Sequence, residues 1–200
     1  MFREKWTKNP ADIIPMYFGV MAFRALSSEW QQIVTEDLSR RQEYDPAQVI
    51  LSLKKALKNS LSFRSILKFR ILKSGNTKAL ICFTLFSRHF PEAQGIEIAG
   101  EIGGGLQIIH RNCIVNTKRA GRNLSVGPFA VIGESHGAAP EIGDNVKVCA
   151  NATVIGGIRI GDGAVIGAAA FVNHDVAPGA VVYGSRSAGI REKPDRAAEA

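Results

Sequence analysis

Cysteine is scarce in this 200-residue chain, with three copies at positions 82, 113 and 149. The number is odd and no two form a C-x-x-C pair, which excludes a disulfide framework and a zinc ribbon and suits a reducing cytoplasm. Long apolar runs are missing as well. The richest stretches, 13–26 and 79–86, fall short of the roughly 20 residues of a membrane span, and the first is interrupted by Pro15 and Arg24. No apolar signal core follows MFREKWTKNP, so a cytoplasmic location is expected.

Acid and glycine are each short in one half only. Residues 1–90 hold 15 Lys/Arg against 7 Asp/Glu, and only Gly19 and Gly75 of the 20 glycines precede Gly95. The net charge of +7 therefore sits on the first half, and a boundary falls near Phe90-Pro91. The expected division is a helical region over 1–90, a second domain over 91–184 with an excursion loop at 133–141, and a tail over 185–200. No binding motif accompanies the basic charge, which argues against a nucleic-acid partner. A solvated helical surface explains the charge, with peripheral contact to an anionic membrane as the alternative.

The first region has helix punctuation. Asn9-Pro10 and Asp45-Pro46 each place a capping side chain before a proline, and Gln48 stands at capping-box spacing from Asp45. Val49, Ile50, Leu53 and Leu57 then mark one apolar face, and Phe63, Ile66, Leu67 and Ile71 another that ends at Gly75. Both stripes predict core, and nothing in this half points to chemistry.

From Ile96 onward the period changes. A ladder of every sixth residue reads Ile96, Ile102, Ile108, Ile114, Ala120, Val126 and Ile132, then, after a ten-residue step, Ile142, Val148, Val154, Ile160, Ile166 and Val172. Neither a helix at 3.6 nor a plain strand at 2 repeats this way; a parallel β-helix does. Three hexads close one triangular coil, the ladder residue points inward, and coils stack at about 4.8 Å. The two ends of such a prism are open strand edges, expected to be covered by the helical half and by the tail from Pro178.

These hexads, with "GIEI" (95–98), "IGGGLQIIHRNCIVN" (102–116), "PEIGDNV" (140–146) and "VIGGIRIGDGAVIGAAAFV" (154–172), resemble the left-handed β-helix acyltransferases, in their serine acetyltransferase-like branch. The likeness covers about 90 residues. It implies a mainly β fold, a left-handed parallel β-helix preceded by helices, although ordinary crossovers are right-handed. It also implies direct transfer of acetyl from acetyl-CoA to a hydroxyl or amine, with no metal and with a homotrimer. His110 matches the family's general base, and Glu97 the carboxylate that orients it. The stretch between them is two residues shorter than in the family, which leaves Glu101 and Glu92 as alternatives. Ala150 and Ala168, in "VCANA" and "IGAAA", match alanines that border CoA in a cleft between subunits.

Two departures bear on the acceptor. The serine enzymes carry an Asp before the catalytic His, where this chain has Ile109, and an Arg-His pair before the Pro, where it has Ala138-Ala139. His136 in the excursion loop is a candidate contact to the acceptor. Cys113 and Cys149 have no activating base and are expected to pack. The expected function is an O-acetyltransferase acting on a sugar hydroxyl of a surface polysaccharide or its precursor. L-Serine O-acetylation is the runner-up, and an inactive β-helix binding module the third reading.

Overall fold

The computed structural model describes residues 10–184. A 3-10 turn, Pro10–Asp12, leads into five helices: α1 (Ile13–Arg24), α2 (Ser28–Ser39), α3 (Val49–Asn59), α4 (Leu61–Ser74) and α5 (Thr77–Ser87). Ser27, Ser60 and Asn76 cap α2, α4 and α5 by accepting from the third residue on, which satisfies one orphan N–H at each helix start. Asp45 caps as expected, but it opens a 3-10 turn at Pro46–Gln48, and the Gln48 amide donates to its carboxylate instead of closing a capping box. Asn9 lies outside the described residues. Gly75 ends α4 in the left-handed region at φ 64°, the conformation that a Cβ resists. The two apolar stripes meet in one core, where Leu53, Leu57, Phe63, Leu67 and Ile71 are buried with Phe83 and Phe86. Gly19 lets α1 approach α5 closely, since a Cβ there would stand 2.8 Å from the Phe86 ring. Among the described residues no helix is long and apolar enough to cross a membrane.

Twelve short parallel strands follow. They are β1 (Ile96–Ile102), β2 (Gln107–Ile108), β3 (Cys113–Ala120), β4 (Ser125–Val126), β5 (Val131–Gly133), β6 (Glu141–Ile142), β7 (Lys147–Val148), β8 (Thr153–Ile155), β9 (Arg159–Ile160), β10 (Val165–Ile166), β11 (Phe171–Val172) and β12 (Val181–Val182). The pairing defines three faces of a prism. The first stacks the N-terminal half of β3 with β5, β8 and β11. The second stacks the C-terminal half of β3 with β6 and β9. The third runs β2, β4, β7, β10, β12. Strand β1 pairs along β3 around the corner between the first two faces. The chain is thus a parallel β-solenoid of five coils preceded by helices.

The ladder residues fill the prism, with Ile108, Val126, Ile132, Ile142, Val148, Val154, Ile160, Ile166 and Val172 all buried. Each such side chain is worth roughly 1.5–3 kcal/mol relative to exposure. The residue two before the ladder position is buried too, as at Leu106, Leu124, Ala130, Val146, Ala152, Ala164 and Ala170, so each of these hexads packs two apolar side chains inward. Two rungs depart from the sixfold count: on β1, Ile98 and not Ile96 stands in register with Val115, and on β3 the rung slips by one residue. Val115 points inward and Ile114 is 39% exposed, because Val115, not Ile114, pairs with Ile132. The step from Ile108 is therefore seven residues and the next, to Ala120, is five.

The helical half covers the first coil. Ile66 and Phe69 of α4 join the prism core. Arg70 (1% exposed) and Asp37 (0%) form a buried bidentate pair, with Nε–Oδ2 at 2.8 Å and Nη2–Oδ1 at 3.0 Å. Arg70 also donates to the Ile102 and Gly103 carbonyls, and Asp37 accepts from the Leu106 N–H at 2.7 Å. Burial pushes the Asp37 carboxyl above its ordinary range, while Arg70 and the N–H groups of Leu106 and Gly105 pull it back.

Removing one partner strands a buried charge, so Arg70→Met is expected to lose about 3–5 kcal/mol of stability in urea denaturation. The double variant Asp37→Leu/Arg70→Met should recover only part of this, because backbone groups of the first coil are left without partners, at about 1–3 kcal/mol each. Full recovery would mean that the coil edge does not need the pair.

Candidate active site

His110 occupies the corner between the third face and the first. The seven-residue step gives this corner one residue more than those below it, and Asn112 closes it in the left-handed region at φ 61°, as Phe129, Asn151 and Ala169 close the regular corners. Asparagine tolerates that conformation better than most residues. The result is an outward bend in which Ile109 is 46% exposed and His110 and Arg111 are exposed beside it. The imidazole makes no hydrogen bond among the described residues.

Below this corner the register continues without a break. Ile108 pairs with Val126, Val126 with Val148, and Val148 with Ile166. Counting two residues on from each, His110, Pro128, Ala150 and Ala168 fall in one column, so the loop at 133–141 leaves the corners in phase. The Pro128 carbonyl accepts from Asn151 N–H and the Ala150 carbonyl from Ala169 N–H, both at 2.9 Å, and Ala150 is half-buried while Ala168 is exposed. Methyl-sized side chains at these two positions leave the backbone of the corner open to a long thin ligand.

On the opposite side, His110 faces the helical half. Arg41, Asn59, Ser60, Leu61 and Ser62 line a cleft of about 260 Å³ with Ile109, His110 and Arg111. The Arg41 guanidinium donates from Nη1 to Ser60 Oγ at 3.0 Å, but its Nε is buried without an acceptor. Burial pushes the pKa of Arg41 down, and Glu43 opposes this without a direct ion pair. Sequence reasoning missed Arg41, because no spacing rule links a residue after α2 to a corner some seventy residues on.

The acidic candidates separate by their partners. Glu101 is held by Lys73 at 2.9 Å, and Glu92 is paired with Lys68. Glu97 has no ion pair among the described residues; it is exposed on β1, in register with the outward Ile114. It makes no hydrogen bond to His110. His136 stands at a different corner, between the first face and the second. It is the first central residue of a tight two-residue turn, at φ 54° with Gly137 at 76°, closed by reciprocal backbone bonds between Ser135 and Ala138. Its Nδ1 is 2.9 Å from Ser135 Oγ. The turn lies over the next coil, where a Cβ on Gly157 would meet Ala138 at 2.8 Å. One chain therefore does not bring His136 to His110. Cys113 is buried and its thiol is pushed up to about 11 by burial, which makes it a packing residue and a poor nucleophile. Among the described residues no group of three His, Cys, Asp or Glu gathers as a metal site.

Comparison with known proteins agrees with this architecture. Residues 139–174 match the model of the bacterial transferase hexapeptide family (six repeats). The serine acetyltransferase of Neisseria gonorrhoeae superimposes with a TM-score of 0.61 at 27% identity, over 86% of this chain and 75% of that one. Soybean serine acetyltransferase superimposes at 0.59 with 24% identity, over 84% and 80%, a likeness of fold. Among curated proteins, the 2,3,4,5-tetrahydropyridine-2,6-dicarboxylate N-acetyltransferase of Staphylococcus aureus is 41% identical over 76 residues, 36% of this chain and 32% of that protein. The chain thus spans about a third of the length of the curated relatives it matches. The five-coil prism with its hexad ladder is that of a left-handed β-helix acyltransferase. With the helical half included, the chain fits the serine acetyltransferase-like branch of that family.

The extended corner depends on a residue that accepts positive φ. Asn112→Gly is expected to fold normally, whereas Asn112→Val should lose about 1–2 kcal/mol in thermal or chemical unfolding. Equal stability of the two would show that the corner has another way to close.

Proposed function

We propose that the chain is an acetyl-CoA-dependent O-acetyltransferase acting on a hydroxyl of a sugar, in a surface polysaccharide or its precursor. The observation that carries this reading is the setting of His110: an exposed imidazole on an extended corner, with small residues running down one side and a polar cleft on the other. His110 takes the proton of the acceptor hydroxyl as the oxygen attacks the thioester carbonyl. The carbon–sulfur bond then breaks, and the CoA sulfur leaves with the proton carried by the imidazolium. Glu97, the acid without a lysine partner, is the residue to orient and balance that cation. Ala150 and Ala168 border the CoA arm.

A homotrimer completes the reading. The register aligns Ile114, Val131, Thr153 and Phe171 as an outward stripe on the first face, with Phe129 (58% exposed) beside it. A mainly apolar stripe next to the His110 column suits a subunit contact, and a neighbouring copy would supply the His136 turn that one chain keeps at another corner. Acetyl-CoA supply and three free thiols suit a cytoplasmic enzyme.

Serine as acceptor is the second reading, favoured by the match to the gonococcal serine acetyltransferase across both the helices and the prism. Against it, the cleft beside His110 contains no carboxylate for the ammonium group of serine.

His110→Ala should lower turnover by about 10²–10⁴-fold while acetyl-CoA still raises the melting temperature. Activity within a few-fold of the parent would remove His110 as the base. Glu97→Gln should lose less than His110→Ala, and Glu101→Gln should lose nothing measurable. In a thiol-release assay with serine and a panel of saccharides and nucleotide sugars, saccharides should give the faster saturable CoA release. Robust saturable turnover of serine would establish the second reading instead.

A further inference from the structure

We infer that the acceptor carries an oxyanion, a carboxylate or a phosphate group, close to the hydroxyl that is acetylated, and that Arg41 and Arg111 hold it; this rests on the O-acetyltransferase reading above. The position of the cleft makes it the acceptor's side. His110 follows β2, the terminal strand of its face, so the small-residue column extends from it in one direction only. In the other direction stand the end of α3, the start of α4 and Arg41. A donor laid along the alanine column leaves this cleft to the second substrate. At about 260 Å³ the space lies at the small end of ligand pockets and suits one ring or one charged group, not an oligosaccharide.

The charge of the cleft is one-sided. Its lining includes two arginines and no aspartate or glutamate. Elsewhere three arginines meet carboxylates, Arg70 at Asp37, Arg119 at Glu141 and Arg122 at Glu36, while Arg40 and Arg64 spend their donors on a hydroxyl and on backbone carbonyls. Arg111 has no such partner among the described residues, and Arg41 donates to the Ser60 hydroxyl and lies over the Phe63 ring, with its buried Nε unsatisfied and no carboxylate in direct contact. A half-buried guanidinium with an unused donor is costly unless an acceptor arrives. Guanidinium groups match carboxylate and phosphate oxygens in geometry as well as charge. Arg111 is the residue after His110, so an anion that it holds keeps its neighbouring hydroxyl within reach of the imidazole.

The test compares methyl glucoside, glucuronate and glucose 1-phosphate as acceptors with the full chain and with Arg111→Gln. Either charged sugar should exceed the neutral one by about tenfold or more in kcat/KM, the scale of one charge-assisted contact, and the two charged arms separate carboxylate from phosphate. Arg111→Gln should erase most of that advantage through the KM of the acceptor, with the KM of acetyl-CoA unchanged. A rise in the KM of acetyl-CoA instead would assign the arginines to the donor and overturn the inference. A readout independent of turnover uses His110→Ala in thermal shift, where glucuronate or glucose 1-phosphate should stabilise and methyl glucoside should not. Equal turnover and equal stabilisation by the neutral sugar would overturn the oxyanion inference and leave sugar O-acetylation standing. Turnover of serine with none of any sugar would overturn the functional reading, and the thermal shift would still report on the cleft.

Discussion

The Arg70–Asp37 pair is the constraint on which the arrangement depends. A stack of hexads satisfies its backbone by pairing each coil with the next, which leaves the first coil with exposed donors and acceptors on its outer edge. Helices cannot continue that pairing, because their own backbone groups are already used. A side chain with several donors and one with two acceptor oxygens can end it. Arg70 reaches two carbonyls of the coil and Asp37 one amide, and each neutralises the other in a site that water does not enter. A buried ion pair is seldom a large net gain over an apolar contact. Its advantage here is that carbonyls and an amide at a coil end need polar partners in fixed places.

That junction also determines where a site can form. With α4 held across the first coil by Arg70, the start of the same helix comes to rest beside the His110 corner. Arg40 and Gln107 reinforce the approach, since Arg40 donates to Ser125 and Gln107 donates to the Arg40 carbonyl. Arg41, the next residue, is thereby carried into the cleft. The cap that stops the prism from pairing onward is one wall of the pocket, so the stability of the junction and the geometry of the acceptor side are the same problem.

Much of this was legible in the residues. The ladder of Ile and Val set the prism, and the helical stripes at Leu53, Leu57, Phe63 and Leu67 set the core of the first half, because both patterns are periodic and burial follows period. The alanine column could be counted from His110 because the coils stay in phase. What escaped was aperiodic. The exchange of Ile114 for Val115 at one rung follows from an extra corner residue, and two adjacent β-branched residues give no sign of which will turn inward. Arg70 belongs to neither apolar stripe of the helical half. Its role comes from contact with a coil some thirty residues further on, which no local pattern encodes. Arg41 was hidden for the same reason, and the pairing of Glu92 and Glu101 with lysines could be known only once α4 was placed.

The irregular rung on β3 is also where chemistry becomes available. A β-helix of uniform hexads presents the same shallow corner at every level, and a side chain there meets solvent on one side and its neighbour on the other. At His110 two departures coincide. The added residue swings the corner outward, and the coil above is replaced by helices, so the imidazole borders two unlike environments instead of two copies of one. One is a row of small side chains along the backbone; the other is a polar, cationic recess. A transfer between two different molecules needs a base that both can approach from separate directions, and in this fold that condition is met at the end of the stack and not in its middle. The position of the histidine at the first coil is then a consequence of how the prism is terminated.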